Sequence, residues 1–303
     1  MKNSSIEWTD HTFSPWIGCT KISPACDNCY AAVSTPARAM KIGWGPGQPR
    51  HRTAVSTWKQ PLAWNKAHDS FFAEHGRRQR VFCASLADVF DNEVDREWRD
   101  DLSTLIASTP HLDWLLLTKR IGNAGEMLGE MFLDGPPDNI WIGATIVNQD
   151  EAARDIPKLL AVPARVRFLS MEPLLGPVDL ARVRARISAS RSGITKAVCY
   201  PGGEPWVDWV IVGGESGPNA RPMHPDWARS LRDQCQATGV PLLFKQHGEW
   251  IGVSDLRNLP GGAGPGFGAF DHCAYDQQHE AVRVGKKAAG RLLDGRTWDE
   301  VPS

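Results

Sequence analysis

The 303-residue sequence lacks an excess of charge of either sign: 34 Lys and Arg stand against 35 Asp and Glu, a formal net charge of −1. That removes any global attraction to nucleic acid or to an anionic membrane, while leaving room for a local basic groove. No apolar run is long enough to cross a bilayer, so no membrane partner is expected. The opening Met1-Lys2-Asn3-Ser4-Ser5 lacks the apolar core of a secretion signal. The expected location is cytoplasmic, where thiols stay reduced and disulfides are rare. Internal repeats, low-complexity runs, a Walker-type phosphate loop and a clean Ser-His-Asp order are also missing.

What is present is concentrated early. Three of the seven cysteines, Cys19, Cys26 and Cys29, lie in the stretch Gly18 to Tyr30, spaced C-x6-C-x2-C. Reduced thiolates this close select zinc, copper(I) or an iron–sulfur cluster. A closed zinc site needs four ligands, as does an all-cysteine [4Fe–4S] cluster. Three cysteines leave one iron of a [4Fe–4S] cluster without a protein ligand, an open position where a small molecule can bind. Two alternatives stay open: a reduced thiol group with no metal, and a site closed by Cys199, Cys273, His11 or His51. Cys83, inside an apolar run, reads as a small buried hydrophobe. Cys235 lies on a helix. Thirteen tryptophans, among them Trp16, Trp44 and Trp141 in expected turns, read mainly as packing. A base-stacking surface is the sharper alternative.

Beyond the cysteine loop a rhythm sets in. Apolar runs of strand length occur at 80–86, 112–118, 140–146, 165–170, 207–213 and 241–245, with residues 12–18 as a seventh candidate. Helical stretches lie between most of them: Asp95 to Ser108, Asn148 to Leu160 and Pro225 to Thr238. Two more are expected at Ala31 to Met40 and Pro61 to Glu74. Strands apolar on both faces and alternating with helices indicate a parallel α/β sheet. Seven strands fit a partial TIM-like (βα)6 barrel with an additional strand, with a doubly wound sheet as the competitor. A single domain over 1–303 is expected, with an irregular insertion near 179–206 and a C-terminal loop and cap region near 247–303. The insertion carries Arg182, Arg184, Arg186, Arg191 and Lys196, a solvated face or a nucleic-acid patch. Residues 254–275 read as a Gly-rich loop.

In parallel α/β folds ligands gather at the C-terminal ends of the strands. Those positions here hold Asp88 and Asp91, Lys119 and Arg120, Thr145 and Asn148, Glu172, then Gly214, Glu215 and Ser216, and finally Lys245, Gln246 and His247. Mixed acids, bases and amides at every strand end suit the lining of an active site.

Several stretches together resemble the phage Gp37/Gp68 family, the DUF5131 or three-Cys-motif proteins. They are Ile6-Glu7-Trp8-Thr9, Trp16-Ile17-Gly18-Cys19, Cys26-Asp27-Asn28-Cys29-Tyr30-Ala31, Leu115 to Arg120, Arg167 to Pro177, Asp208 to Gly217 and Phe244-Lys245-Gln246. The family is similar to radical S-adenosylmethionine (SAM) enzymes. The resemblance therefore implies a radical-SAM-like barrel with a [4Fe–4S] cluster on Cys19, Cys26 and Cys29. It implies SAM beside Tyr30, Asp88, Lys119, Thr145, Asn148, Glu172, Gly214, Glu215 and Lys245, and it suggests a partner protein. The expected activity is reductive cleavage of SAM to modify or repair a substrate the residues do not identify, a nucleic-acid component among the candidates. The alternative is a metal-stabilised nucleic-acid-binding protein without catalysis. Two features depart from the radical SAM pattern. The first cysteine spacing is x6 rather than x3. The Gly-Gly-Glu expected after the second strand is replaced by Ser85 to Asp91, while Gly202-Gly203-Glu204 and Gly213-Gly214-Glu215 come late.

Overall fold

The computed structural model describes residues 4–184, 206–258 and 271–302. Arg186, Arg191, Lys196, Cys199 and Gly202-Gly203-Glu204 lie outside them, as does most of the Gly-rich stretch. The chain forms two compact units, Met1–Ala144 with Lys158–Arg167, and Thr145–Pro157 with Phe168–Ser303.

In the first unit four parallel strands follow one another in chain order: β1 (His11–Phe13), β2 (Gln79–Cys83), β3 (Leu112–Thr118) and β4 (Ile140–Thr145). Phe13 stands opposite Cys83, Cys83 opposite Leu116, and Leu116 opposite Ile142. In β3, Trp114, Leu115 and Leu116 are completely buried. Burial of successive residues means both faces are covered, so an apolar run rather than an alternation specifies this strand. Each such Leu contributes about 1.5–3 kcal/mol by leaving water. Helix α1 (Arg96–Ala107) starts at Asp95, whose carboxylate accepts the Glu97 N–H at 3.0 Å. It buries Leu102, Leu105 and Ile106, one stripe at helical spacing. Helix α2 (Ile121–Met131) buries Ile121, Ala124, Leu128 and Met131 in the same way.

The second unit repeats the scheme with β5 (Val166–Met171), β6 (Trp209–Gly213) and β7 (Leu242–Gln246), again parallel and in chain order. The boundary between the units passes through β5 and through helix α3 (Gln149–Ala161). Helix α4 (Pro225–Thr238) carries proline in its first turn and ends on Gly239 at φ +68°. Three antiparallel strands follow: β8 (Trp250–Gly252), β9 (His272–Ala274) and the central β10 (Glu280–Arg283). Ile251, Leu256, Val282 and Ala289 form their small core.

The fold class is α/β, and the seven parallel strands match the six-plus-one count. Within each unit every strand is added at the same edge. A doubly wound sheet would instead reverse direction at a switch point. The expected strand at 12–18 is cut in two. Pro15 has no N–H for the ladder, so β1 stops at Phe13, and Trp16–Ile17 pairs antiparallel with His51–Arg52. The helix expected over Pro61 to Glu74 is two, Gln60–Lys66 and His68–His75. That expected over Ala31 to Met40 shortens to Thr35–Ala39, opened by Ser34 and Pro36. Trp16 and Trp141 are buried strand residues rather than turn residues.

Two glycine substitutions test the packing in opposite directions. A Cβ on Gly214 would stand 1.9 Å from the carbonyl oxygen of His247. Gly214→Ala is expected to lower stability by about 3 kcal/mol or prevent folding. A Cβ on Gly125, inside α2, meets nothing within 4 Å. Gly125→Ala is expected to raise stability by about 0.5–1 kcal/mol. Urea midpoints measure both.

Candidate functional site

The cysteine loop has little regular structure, so side chains and single backbone bonds hold it. Ser23 caps the 3-10 turn Pro24–Cys26 by accepting the Ala25 N–H, which buries Cys26; Cys19 and Cys29 are half-buried. Lys21 Nζ donates to the Asp27 carbonyl at 2.9 Å and closes the loop on itself. Two of its attachments lie beyond the C-terminal end of β2. The Gly18 N–H donates to Leu86 O at 3.2 Å, and the Tyr30 hydroxyl donates to Ser85 O at 2.8 Å. Tyr30 is 56% exposed.

Arg120, just past β3, reaches one of the thiols directly. Its Nη1 donates to Cys19 Sγ at 3.3 Å and its Nη2 to Thr20 O at 2.7 Å. Asp88 and Asp91 flank it, at 3.5 Å and 3.8 Å. Burial opposes its charge, but Asp88, Cys19 and Asp91 outweigh burial and hold the guanidinium protonated. Burial also pushes the Cys19 thiol up, to about 11, with Asp88 adding to the rise and Arg120 opposing it. A metal must therefore displace a proton there.

Asp88 is deeply buried and fully engaged. One oxygen accepts from the Thr118 hydroxyl at 2.7 Å and the Phe90 N–H at 3.0 Å; the other accepts from the Lys119 N–H at 3.1 Å. It joins the turn after β2 to the end of β3, and Lys119 stands half-buried beside it.

Among the described residues, Cys19, Cys26 and Cys29 do not form a group with all ligand atoms within 4.8 Å of one another. At least one sulfur pair is therefore wider apart than the roughly 3.8 Å set by a single tetrahedral zinc. By chemistry alone, three soft thiol donors suit zinc or an iron–sulfur centre.

Sequence reasoning missed Arg50. Its side chain is 1% exposed and spans the loop. Nε donates to Asp91 at 2.8 Å, Nη1 to the Gln48 carbonyl at 2.8 Å, and Nη2 to Thr20 Oγ1 at 2.8 Å and Glu93 at 2.6 Å. The signal available was Asp91, whose carboxylate needs a cation once buried.

The second unit has its own polar group at the ends of β5, β6 and β7. Lys245 Nζ donates to both oxygens of Glu172, at 2.8 Å and 2.9 Å. Gln246 Nε2 donates to Glu172 at 3.0 Å, to the Gly214 carbonyl at 2.9 Å and to Ser216 Oγ at 3.2 Å. The Gln246 side-chain amide oxygen Oε1 is buried without a hydrogen-bond partner, as is the Thr145 hydroxyl. Buried polar atoms left unpaired are costly and mark places where a ligand can complete the bonding. Glu215 turns away to a bidentate pair with Arg221 at 2.6 Å and 2.8 Å. Asn148 caps α3, accepting the Glu151 N–H at 3.0 Å. So Glu172, Gly214, Lys245 and Gln246 come together, while Glu215 and Asn148 serve local structure.

A family model described as a protein of unknown function (DUF5131) matches residues 3–302. No curated protein matches the chain. Among solved structures, a spore photoproduct lyase mutant aligns at 11% identity and a TM-score of 0.43, covering 93% of this chain and 71% of the other. A spore photoproduct lyase complexed with dinucleoside spore photoproduct aligns at 9% and 0.36, covering 88% and 66%.

Two measurements probe this site. Arg50→Ala takes the hydrogen-bonded cation from buried Asp91 and leaves it Arg120 at 3.8 Å, and is expected to cost about 3 kcal/mol of stability. The thiolate is the form that alkylates. In the metal-free protein, the alkylation rate of Cys19, followed by peptide mass, should therefore rise with pH toward a midpoint near 11. Arg120→Ala should move that midpoint higher, because it removes the opposing positive charge.

Proposed function

The chain belongs to the DUF5131 family, and from that membership and its thiol loop we propose that it is an iron–sulfur protein resembling radical SAM enzymes. It cleaves S-adenosylmethionine reductively to modify or repair a substrate, with a nucleic-acid component as the substrate class. One observation carries the reading: the loop bearing Cys19, Cys26 and Cys29 is fastened where β2 and β3 end, the side of a parallel sheet at which ligands bind. When bound, a cluster with one iron free of protein supplies the electron for the cleavage.

The chain's own residues do the rest. Cys19, Cys26 and Cys29 are the ligands. Arg120, hydrogen-bonded to Cys19 Sγ, offsets the negative charge that three thiolates bring into a half-buried place. Tyr30, anchored by its hydroxyl, offers a ring face for an adenine. Asp88 positions the backbone of Lys119 and the side chain of Arg120 rather than meeting the ligand itself. In the second unit, Glu172 and Lys245 present opposite charges beside the unpaired Gln246 oxygen. Such a set suits a ligand group that carries both a donor and an anion.

A second reading, a metal-stabilised nucleic-acid-binding protein without catalysis, is favoured by one contact: the Arg184 guanidinium lies 5.5 Å from the centre of the Trp206 ring.

Purification without air, followed by iron and sulfide analysis and an absorption spectrum, decides between the readings. The expected result is a brown protein with about four irons and four sulfides per chain, which loses its colour in Cys26→Ser. It should convert SAM under reduction. A colourless wild-type protein with stoichiometric zinc would refute the cluster.

A further inference from the structure

Far from the cysteine loop in sequence, three side chains of the second unit meet in a way no step above uses. His224, Asp276 and His279 each offer one ligand atom, and these atoms lie within 4.8 Å of one another. We infer that they form a second metal site, for one divalent ion of the zinc type. His224 is the residue that opens α4, and Asp276 and His279 lie in the turn between β9 and β10. An ion there would cross-link the start of that helix to the antiparallel sheet.

The distances fit. Nitrogen and oxygen ligands at 2.0–2.1 Å around a tetrahedral zinc stand about 3.3 Å apart. His279 Nδ1 lies 3.0 Å from Asp276 Oδ2, and His224 Nε2 lies 4.0 Å from that same oxygen. Two imidazoles and a carboxylate are donors of zinc-like hardness, unlike the thiols of the first unit. The other nitrogen of His279 faces Asp226 Oδ2 at 3.1 Å. With Nδ1 on the metal, Nε2–H donates to Asp226, the carboxylate–histidine–metal arrangement that fixes ring orientation at zinc sites. Asp226 is thus a positioning residue, and a water can complete the coordination.

The surroundings hold the rings in place. The His224 ring lies 4.6 Å from that of His279 and 4.8 Å from that of Tyr275, whose hydroxyl is buried without a hydrogen-bond partner. Coordination has one local cost. Metal on His224 Nε2 puts the ring proton on Nδ1, so the 3.1 Å bond that Nδ1 accepts from the Asp226 N–H is given up. The metal bond replaces that cap.

The test uses the full chain with Cys19, Cys26 and Cys29 changed to Ser, dialysed against zinc and analysed for bound metal. The parent is expected to retain a single zinc. His224→Gln and His279→Gln should lose it, while Asp226→Asn should weaken binding about 10–100-fold. Cobalt in place of zinc should give a spectrum without sulfur-to-metal charge transfer. If the triple variant fails to fold, the wild-type chain with alkylated thiols serves as the parent. No zinc uptake by the parent, or equal uptake by the histidine variants, overturns the assignment.

Discussion

The first unit depends on one buried cation. Arg50 sits where the cysteine loop, the segment Gly45 to Gln48 and the acidic turn past β2 come together, and it bonds to all three. Val89, Phe90 and Val94 in the turn and Ala25 and Cys26 in the loop are buried, but apolar burial is non-directional and cannot by itself set the spacing of the segments. A guanidinium with five donors in a fixed plane can. Burying it gains little net stability, since desolvation offsets most of the attraction. What it supplies is a unique arrangement, because any other leaves Asp91 or the guanidinium unpaired out of water. Arg120 does the same a few ångströms on, with Cys19 Sγ among its partners. The place of the thiols is thus fixed by electrostatics, while the strands beneath are fixed by apolar burial.

That division explains how much of the molecule was legible in the sequence. The strands at 112–118 and 140–146 and the helix Pro225–Thr238 were readable because each carries its instruction locally: a continuous apolar run, or a helical stripe with proline at one end and glycine at the other. Boundaries blurred where a single residue overrode the run, as Pro15 did. The antiparallel strands His272–Ala274 and Glu280–Arg283 were hidden. They are three and four residues long, half-exposed, and stabilised by one another rather than by any periodicity of their own.

The candidate site was legible in its elements but not in its bonding. The thiol spacing and the polar strand ends named Cys19, Asp88, Glu172 and Lys245 correctly as neighbours of strand termini. Nothing local could say that Asp88 spends its oxygens on backbone and hydroxyl groups, or that Glu172 meets Lys245 across many intervening residues. Gly213-Gly214-Glu215 stood out in the sequence only as a Gly-Gly-Glu that comes late. Gly214 is instead a place where two backbones touch, a constraint imposed by His247, which no inspection of the motif contains.

The two-residue ladder of Trp16–Ile17 with His51–Arg52 has a consequence for metal uptake. It pins both ends of a long excursion, so the entropy of closing that loop is lost when the sheet forms rather than when an ion arrives. In small zinc-dependent domains folding and metal capture are one event. With that ladder in place the thiol loop is already gathered, and a centre of the kind proposed would spend its binding energy on coordination instead of on gathering the chain.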